Sequence, residues 1–282
     1  TVSSGNYSLA VHCWLQPGAT SNLLLVHGYF DHSGLFGKLV EYGLARRCNV
    51  LIFDLPGHGL STGEPASIDD FADYALAIHA VLAAVRLPEL PLWVMAQSTG
   101  CAAVLEYART QPWPFTTAVF LAPLIRPKGW HWVRLAHSLL RPLTRSIART
   151  FAANSTDLEF LQFLKRDPLQ SQRLPVLWVS ALRNWLASLP ADDLGVGSAL
   201  IVQGDDDQTV DWRYNVGFFA SLFPGSEVKM LPGAGHQLAN ESSALRSEYF
   251  GSVEAWLAAR GILGALEQYP TANSPLDAGQ PG

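Results

Sequence analysis

The sequence predicts an α/β fold: a mostly parallel central sheet with helices on both faces and an inserted helical cap. Three observations predict it. Short apolar runs of strand length alternate with helix-length segments at βαβ spacing over residues 23–122, and again over 199–260. Runs such as Leu23-Leu24-Leu25-Val26 and Val50-Leu51-Ile52-Phe53 are apolar throughout, as suits strands buried on both faces. Between residues 126 and 190 the alternation stops and the charge changes sign. Ten basic residues stand there against three acids, a net +7 in a chain whose total is −5, so the remainder carries −12.

The elements follow in order. Residues 7–15 alternate loosely and read as an edge strand. The first buried strand ends at Val26 and runs into His27-Gly28-Tyr29-Phe30; a helix is expected over 35–47 and the second buried strand over 50–53. A long helix over 68–85 would carry Asp69 and Asp70 in its first turn, where the helix dipole favours acids. A strand over 92–96 and a helix over 101–109 flank Gln97-Ser98-Thr99-Gly100, and another strand covers 118–122. In the cap, Trp132, Leu135, Ala136, Leu139 and Leu140 fall at helical spacing, and Pro142 is expected to end that helix and begin another. Two more helices are expected over 157–165 and 175–189, with no convincing strand in the segment. A strand over 199–203, a helix over 212–222, a strand over 227–231 and a last helix over 243–260 complete the core. The expected organisation is therefore a core of 1–125 and 191–267, a cap of 126–190, and a mobile tail of 268–282 rich in Pro, Gly, Asn and Ser.

Composition sets the outer limits. A chain of 282 residues that is 49% hydrophobic can bury a sizeable core. No apolar run has the length of a membrane span, and the first seven residues lack a signal-peptide pattern. The chain starts at Thr1 rather than Met, as after removal of an upstream segment. Cys13, Cys48 and Cys101 form no framework, which points to a reducing, cytoplasmic setting. The acidic total argues against nucleic acid as a partner, and no His/Cys cluster or phosphate-binding glycine loop calls for a metal or cofactor.

The chemistry centres on Ser98. Ala96 and Gly100 stand two residues to either side of it, the spacing of a nucleophile elbow with Ala in the first small position. Such a turn lifts the hydroxyl over the sheet edge, beside the N–H groups that open the next helix. A serine hydroxyl needs an adjacent base, itself held by a carboxylate. His236 lies in a Gly-rich loop after the 227–231 strand, and Asp205, Asp206 and Asp207 follow the preceding one. The order Ser, acid, His suits this architecture, and one oxyanion donor should be the N–H of Thr99 and the other an N–H of the loop after Val26.

At these residues the chain resembles the α/β-hydrolases of the monoglyceride lipase, lysophospholipase and serine aminopeptidase-like (S33) group. HGYFDHSG (27–34), FDLPGHGLS (53–61), AQSTG (96–100), GDDDQTV (204–210) and LPGAGH (231–236) carry the resemblance, which covers the core but not the cap. It implies that Asp207 is the triad acid, with Asp205 and Asp206 as second choices, and that Tyr29 gives the second oxyanion N–H. Relatives often carry a small residue at that place, so the Tyr29 ring is expected to narrow the pocket or to hydrogen-bond substrate. The expected activity is hydrolysis of a carboxylic ester, such as a monoacylglycerol, lysophospholipid or smaller ester, through an acyl-enzyme. The alternatives are amide or aminopeptide hydrolysis, with Glu159 as an anchor for the amine, and a non-catalytic binding protein on the same scaffold.

The remaining polar residues have quieter expected roles. His27 should hold the oxyanion loop, Asp54 and His58 the turn after the second strand, and Asp31 and His32 resemble a loop-stabilising polar pair of glyceride-cleaving relatives. His12, His79, His131 and His137 are expected to be structural and Cys101 to be core. Trp130 and Trp132 are candidate substrate contacts. With Lys128, Arg134, Arg141, Arg145 and Arg149 they form either a peripheral contact for an anionic membrane surface or a packing surface toward the acidic body.

Overall fold

In the computed structural model, residues 1–190 and 193–263 are described. The chain runs through β1 (Val2–Ser4), β2 (Tyr7–Leu9), β3 (Val11–Trp14), β4 (Ser21–Val26), α1 (Gly37–Ala45), β5 (Cys48–Phe53), α2 (Ala72–Ala84), β6 (Leu92–Gln97), α3 (Thr99–Thr110) and β7 (Thr117–Leu121). An inserted segment carries α4 (Trp130–Leu140), β8 (Ser146–Ala148), α5 (Leu158–Leu164), β9 (Arg173–Pro175) and α6 (Val176–Ser188). The core then resumes with β10 (Ala199–Gly204), α7 (Trp212–Leu222), β11 (Glu227–Leu231) and α8 (Ser243–Ala258).

Seven strands form the central sheet in the order β11-β10-β7-β6-β4-β5-β3. All neighbours pair in parallel except β3, which runs antiparallel on the edge beside β5. Successive side chains of a strand point to opposite faces, so each apolar run serves two cores. Leu24, Val26, Val94, Ala96, Phe120 and Ile201 pack with α2, α3, α6 and α7. Leu23, Leu25, Trp93, Met95, Val119 and Val202 pack with α1 and α8. This two-sided burial is why these strands read as continuous apolar runs rather than as alternating ones.

The chain passes from β4 to β5 on one side and returns to β6 on the other. The strand order therefore reverses between β4 and β6, and the loops that leave their C-terminal ends part to leave a crevice. The loop after β4 carries Tyr29, and the turn after β6 carries Ser98. Sheet topology thus sets two of the expected site segments side by side.

Four expectations are corrected. The 7–15 strand is split: β2 pairs with β1 in a small hairpin, and only β3 joins the sheet edge. The 35–47 helix begins as a 3-10 turn over Ser33–Phe36 before α1. α2 starts at Ala72 with Asp73 in its first turn, because Asp70 bonds the Ala72 N–H at 2.9 Å and holds the entry turn instead. Finally, no helix follows Pro142. The chain turns into β8, which pairs antiparallel with β9, so the inserted segment contains a two-stranded ribbon. The partner strand lies more than twenty residues away, beyond the reach of any local periodicity. The 268–282 tail lies outside the described residues. Among the described residues no helix is long and apolar enough to cross a membrane.

The inserted segment is bound to the core by aromatic packing from α6. Trp178 stacks on Tyr29 with centroids 3.9 Å apart and donates its indole N–H to the Tyr74 hydroxyl at 3.1 Å. Trp185 stacks on Phe71 at 4.6 Å and donates to Glu106 at 2.8 Å. Both indoles are buried with their N–H groups satisfied, which is what burying a tryptophan requires. Trp178→Ala should lower unfolding stability by about 3–5 kcal/mol, the usual range for truncating a buried aromatic. Chemical denaturation checks this, and a loss below 1 kcal/mol would show that α6 contributes little to holding the core.

Candidate active site

The backbone at the end of β6 makes the site. Ser98 has φ +52° and ψ −115°, a strained conformation for a residue with a side chain. Its N–H donates to Leu121 at 2.9 Å and its carbonyl accepts from Leu124 at 3.2 Å, so the end of β7 and the loop after it hold the bend from both sides. Gly100 shows why the turn needs small residues. A Cβ there would lie 2.3 Å from the Val26 carbonyl oxygen, so α3 starts against the end of β4 only because that position is bare. A Cβ on Gly28 would in turn stand 3.2 Å from the Ser98 Cβ, which places the loop after β4 directly against the serine.

Three segments distant in sequence meet at this serine. His236 Nε2 lies 2.8 Å from Ser98 Oγ, and His236 Nδ1 lies 2.7 Å from Asp207 Oδ2. Nδ1 therefore carries its hydrogen toward the carboxylate, and Nε2 accepts from the serine hydroxyl. Asp207 is fixed in turn: Oδ1 accepts from the N–H groups of Thr209 (2.8 Å) and Val210 (3.2 Å), and Oδ2 from Gln203 Nε2 (3.1 Å). Burial alone would raise its pKa, but the charge of His236 and these donors hold it below the usual carboxylate value. Burial likewise pushes His236 down; the Asp207 charge, its hydrogen bond and the more remote Asp31 outweigh that and leave it above the usual imidazole value.

The structure separates the three aspartates that the sequence left open. Asp207 is buried, whereas Asp205 and Asp206 are exposed. Asp205 accepts from the Gly233 N–H at 2.7 Å and Asp206 from Gln208, so both serve the turn.

Thr99 opens α3, so its N–H has no partner within the helix. The N–H of Tyr29 bonds no acceptor among the described residues. Thr99 follows Ser98 directly, and Tyr29 follows Gly28, the residue that lies against the serine. The Tyr29 side chain departs from one of its two expected roles, a hydrogen bond to substrate: its hydroxyl donates to the Ala66 carbonyl at 2.6 Å and its ring stacks on Trp178. It braces α6 over the loop, and its hydroxyl hydrogen is not available to a substrate.

The loop-holding roles are seen in detail. His27 accepts from the Leu55 N–H at 2.9 Å and donates to the Gly28 carbonyl at 2.8 Å; burial lowers its proton affinity and keeps it neutral. Asp54 accepts from the N–H groups of Ser33 and Leu60, and His58 donates to Pro56. Burial pushes His58 down to about 3, so it too is neutral. The Cys101 thiol is buried against the Ala96 carbonyl at 3.1 Å.

Sequence reasoning missed a second layer. Gln97 and Gln237 bond one another, Gln97 Oε1 accepts from the Ala239 N–H at 2.7 Å, and Gln237 Nε2 donates to both oxygens of Asp31 at 3.0 and 3.1 Å. This buried chain ties the turn after β6, the His236 loop and the loop after β4 together. Its one sequence signal is adjacency, since Gln97 precedes Ser98 and Gln237 follows His236. The inserted segment adds more clamps. His32 Nε2 donates to Asp167 at 2.7 Å, Gln170 donates to the Phe30 carbonyl, and the Arg149 guanidinium lies over Phe30 and Phe151, 4.0 and 4.3 Å from the ring centres. Burial lowers Arg149 to about 10, which leaves it charged at neutral pH. Nothing local in the sequence announces these contacts.

Other candidates lie elsewhere. Trp132 is 74% exposed. Trp130 lines a cavity whose walls include none of Ser98, Asp207 and His236. Glu159 is exposed on α5. His137 is buried and bonded to Ser180 and Arg183, a structural role.

With this geometry in view, the chain was compared with known proteins. The family model described as serine aminopeptidase, S33, matches residues 18–243. A monoglyceride lipase homolog of monkeypox virus is 24% identical over 243 residues, covering 83% of this chain and 88% of that one. Phospholipase YtpA of Bacillus subtilis is 22% identical over 254 residues, covering 86% and 97%. A crystal structure of a soluble variant of monoglyceride lipase from Saccharomyces cerevisiae, in complex with a substrate analog, superimposes with a TM-score of 0.78 at 18% identity, over 92% of this chain and 94% of that one. The sheet order, the elbow and a family match across most of the chain agree: this protein belongs to the serine aminopeptidase S33 family and has the α/β-hydrolase fold.

Proposed function

We propose that the protein is a serine hydrolase that cleaves carboxylic esters, with monoacylglycerols and lysophospholipids as the favoured substrates, by way of an acyl-enzyme. The observation that carries this reading is the hydrogen-bonded series from Ser98 through His236 to Asp207, at 2.8 and 2.7 Å. Ser98 Oγ attacks the ester carbonyl as His236 Nε2 takes its proton. The N–H groups of Thr99 and Tyr29 hold the oxyanion, a contribution on the order of 10²–10³ in kcat per donor in comparable sites. His236 then protonates the leaving alcohol, and water deacylates Ser98 by the same path in reverse. Asp207 fixes the tautomer and stabilises the imidazolium. Relatives named as a monoglyceride lipase homolog and a phospholipase support the glyceride and lysolipid classes. The amide reading finds less support, because Glu159 is exposed on α5 rather than buried at the site.

Ser98→Ala should abolish labelling by a fluorophosphonate probe and lower kcat by about 10⁴-fold or more. Asp207→Asn should cost about 10⁴-fold through the wrong tautomer, while Asp205→Asn and Asp206→Asn leave turnover within a fewfold. Assays on monoacylglycerols and p-nitrophenyl esters check this. Equal losses in all three Asp variants would remove Asp207 from its role.

A pH dependence follows with a definite sign. Catalysis needs His236 neutral in the free enzyme, and its proton affinity is raised. The acid limb of kcat/KM should therefore have its midpoint above the usual histidine value of about 6.5. Activity rises with pH through that midpoint, and a midpoint below 6 in the pH–rate profile would contradict the ion pair with Asp207.

The inserted segment supports a peripheral lipid contact. Trp132, Leu135, Leu139 and Leu143 are exposed beside Arg134, Arg141 and Arg145, an apolar patch with a basic border. Trp132→Ala/Leu143→Ala should weaken cosedimentation with vesicles containing phosphatidylserine severalfold while sparing turnover of a dispersed short-chain ester. Unchanged binding to the vesicles would place the contact elsewhere.

A further inference from the structure

The cavity lined by Trp130, of about 670 Å³, opens between α4, α6 and α7, apart from Ser98. Its walls carry four guanidinium groups, from Arg126, Arg134, Arg141 and Arg183. Among the described residues only Arg126 is neutralised, by Asp211 at 2.7 Å, and its guanidinium also lies over the Tyr214 ring. Among the described residues Arg134, Arg141 and Arg183 have no carboxylate partner, and no acid lines the cavity.

Arg183 is held in a telling way. Its Nη1 donates to His137 Nδ1 at 2.7 Å and to Ser138 Oγ at 3.1 Å. His137 Nε2 donates to Ser180 Oγ at 2.8 Å, and Ser180 donates to the Val176 carbonyl at 3.2 Å. Burial, with the charges of Arg183 and Arg141, lowers the proton affinity of His137, so the imidazole is a neutral acceptor. A structural arginine is ordinarily fixed by an acid that cancels its charge. Here a neutral relay fixes the fork and leaves the charge unspent, which preorganises a donor for an anion.

We propose that this cavity is a binding site for a phosphate monoester, gripped by Arg134, Arg141 and Arg183. Arginine forks match phosphate geometry in pairs of hydrogen bonds. A phosphate monoester carries about −1.5 to −2 charges near neutral pH, which answers three guanidinium groups better than one carboxylate does. The apolar walls, Trp130, Ile125, Leu186 and Phe218, give room for the organic part of the ligand. That part belongs either to a lipid headgroup or to a soluble metabolite. The site stands independently of the ester hydrolysis proposed above.

Calorimetric titration of the full chain carrying Ser98→Ala tests this without turnover. The probes are dihexanoylphosphatidic acid below its micellar concentration, glycerol 3-phosphate, and dihexanoylphosphatidylcholine. At least one of the two monoesters should bind, and more tightly than the zwitterionic choline diester. Arg134→Gln/Arg141→Gln, both at exposed positions, should weaken it about tenfold or more, in line with losing charge-assisted hydrogen bonds. Arg166→Gln, just past the end of α5 and outside the cavity, should leave it unchanged. Binding of glycerol 3-phosphate as tight as that of the lipid would assign a soluble ligand; binding of the lipid alone would assign a headgroup. Failure of both monoesters to bind, preference for the choline lipid, or equal weakening by Arg166→Gln overturns the proposal. Thermal unfolding of each variant separates lost binding from lost folding.

Discussion

A buried imidazole must find a partner for each nitrogen, and His236 finds them on two other parts of the chain. Asp207 takes the Nδ1 hydrogen and Ser98 Oγ offers its own to Nε2. Neither bond forms unless β10, β6 and the loop after β11 end on the same rim of the sheet. The sheet supplies that rim, because its six parallel strands finish at one edge. The side chains around the imidazole are consequences of keeping it oriented: Gln203 and the N–H groups of Thr209 and Val210 hold Asp207, and the bend at Ser98 lifts the hydroxyl to meet the ring.

The switch in strand order between β4 and β6 does the rest. It sets the loop bearing Tyr29 against the serine, so the N–H groups of Thr99 and Tyr29, without partners among the described residues, belong to adjoining segments. The buried Gln97–Gln237–Asp31 chain then ties three site segments into one body. Such a fully bonded polar network is rigid, and rigidity here keeps reacting groups in register.

The inserted segment divides its surface between two tasks. One side clamps the core through Trp178, Trp185, Asp167 and Gln170. The other presents exposed apolar residues and arginines without acid partners among the described residues. The excess of basic residues that marks residues 126–190 is only partly spent on packing. Arg149 over Phe30 uses some of it at the site, and the cavity beside α4 holds much of the remainder.

Local chemistry is what the sequence carried by itself. Continuous apolar runs gave the buried strands, because burial on both faces leaves no polar position to fill. The spacing of Ala96, Ser98 and Gly100 gave the elbow, because a strand that becomes a helix within three residues tolerates only small flanks. The 212–222 and 227–231 elements were legible to the residue. Folding decided what depends on partners far along the chain. It chose Asp207 over two identical neighbours by burying one carboxylate and leaving two in water, a choice that residue type alone cannot express. It turned the segment after Pro142 into a strand, because β9 offered its backbone an alternative to a helix. It also gave the Tyr29 hydroxyl to Ala66, and it brought Arg134, Arg141 and Arg183 around one cavity. Hydrogen bonding and burial are properties of pairs, and most of these pairs exist only once the chain has closed on itself.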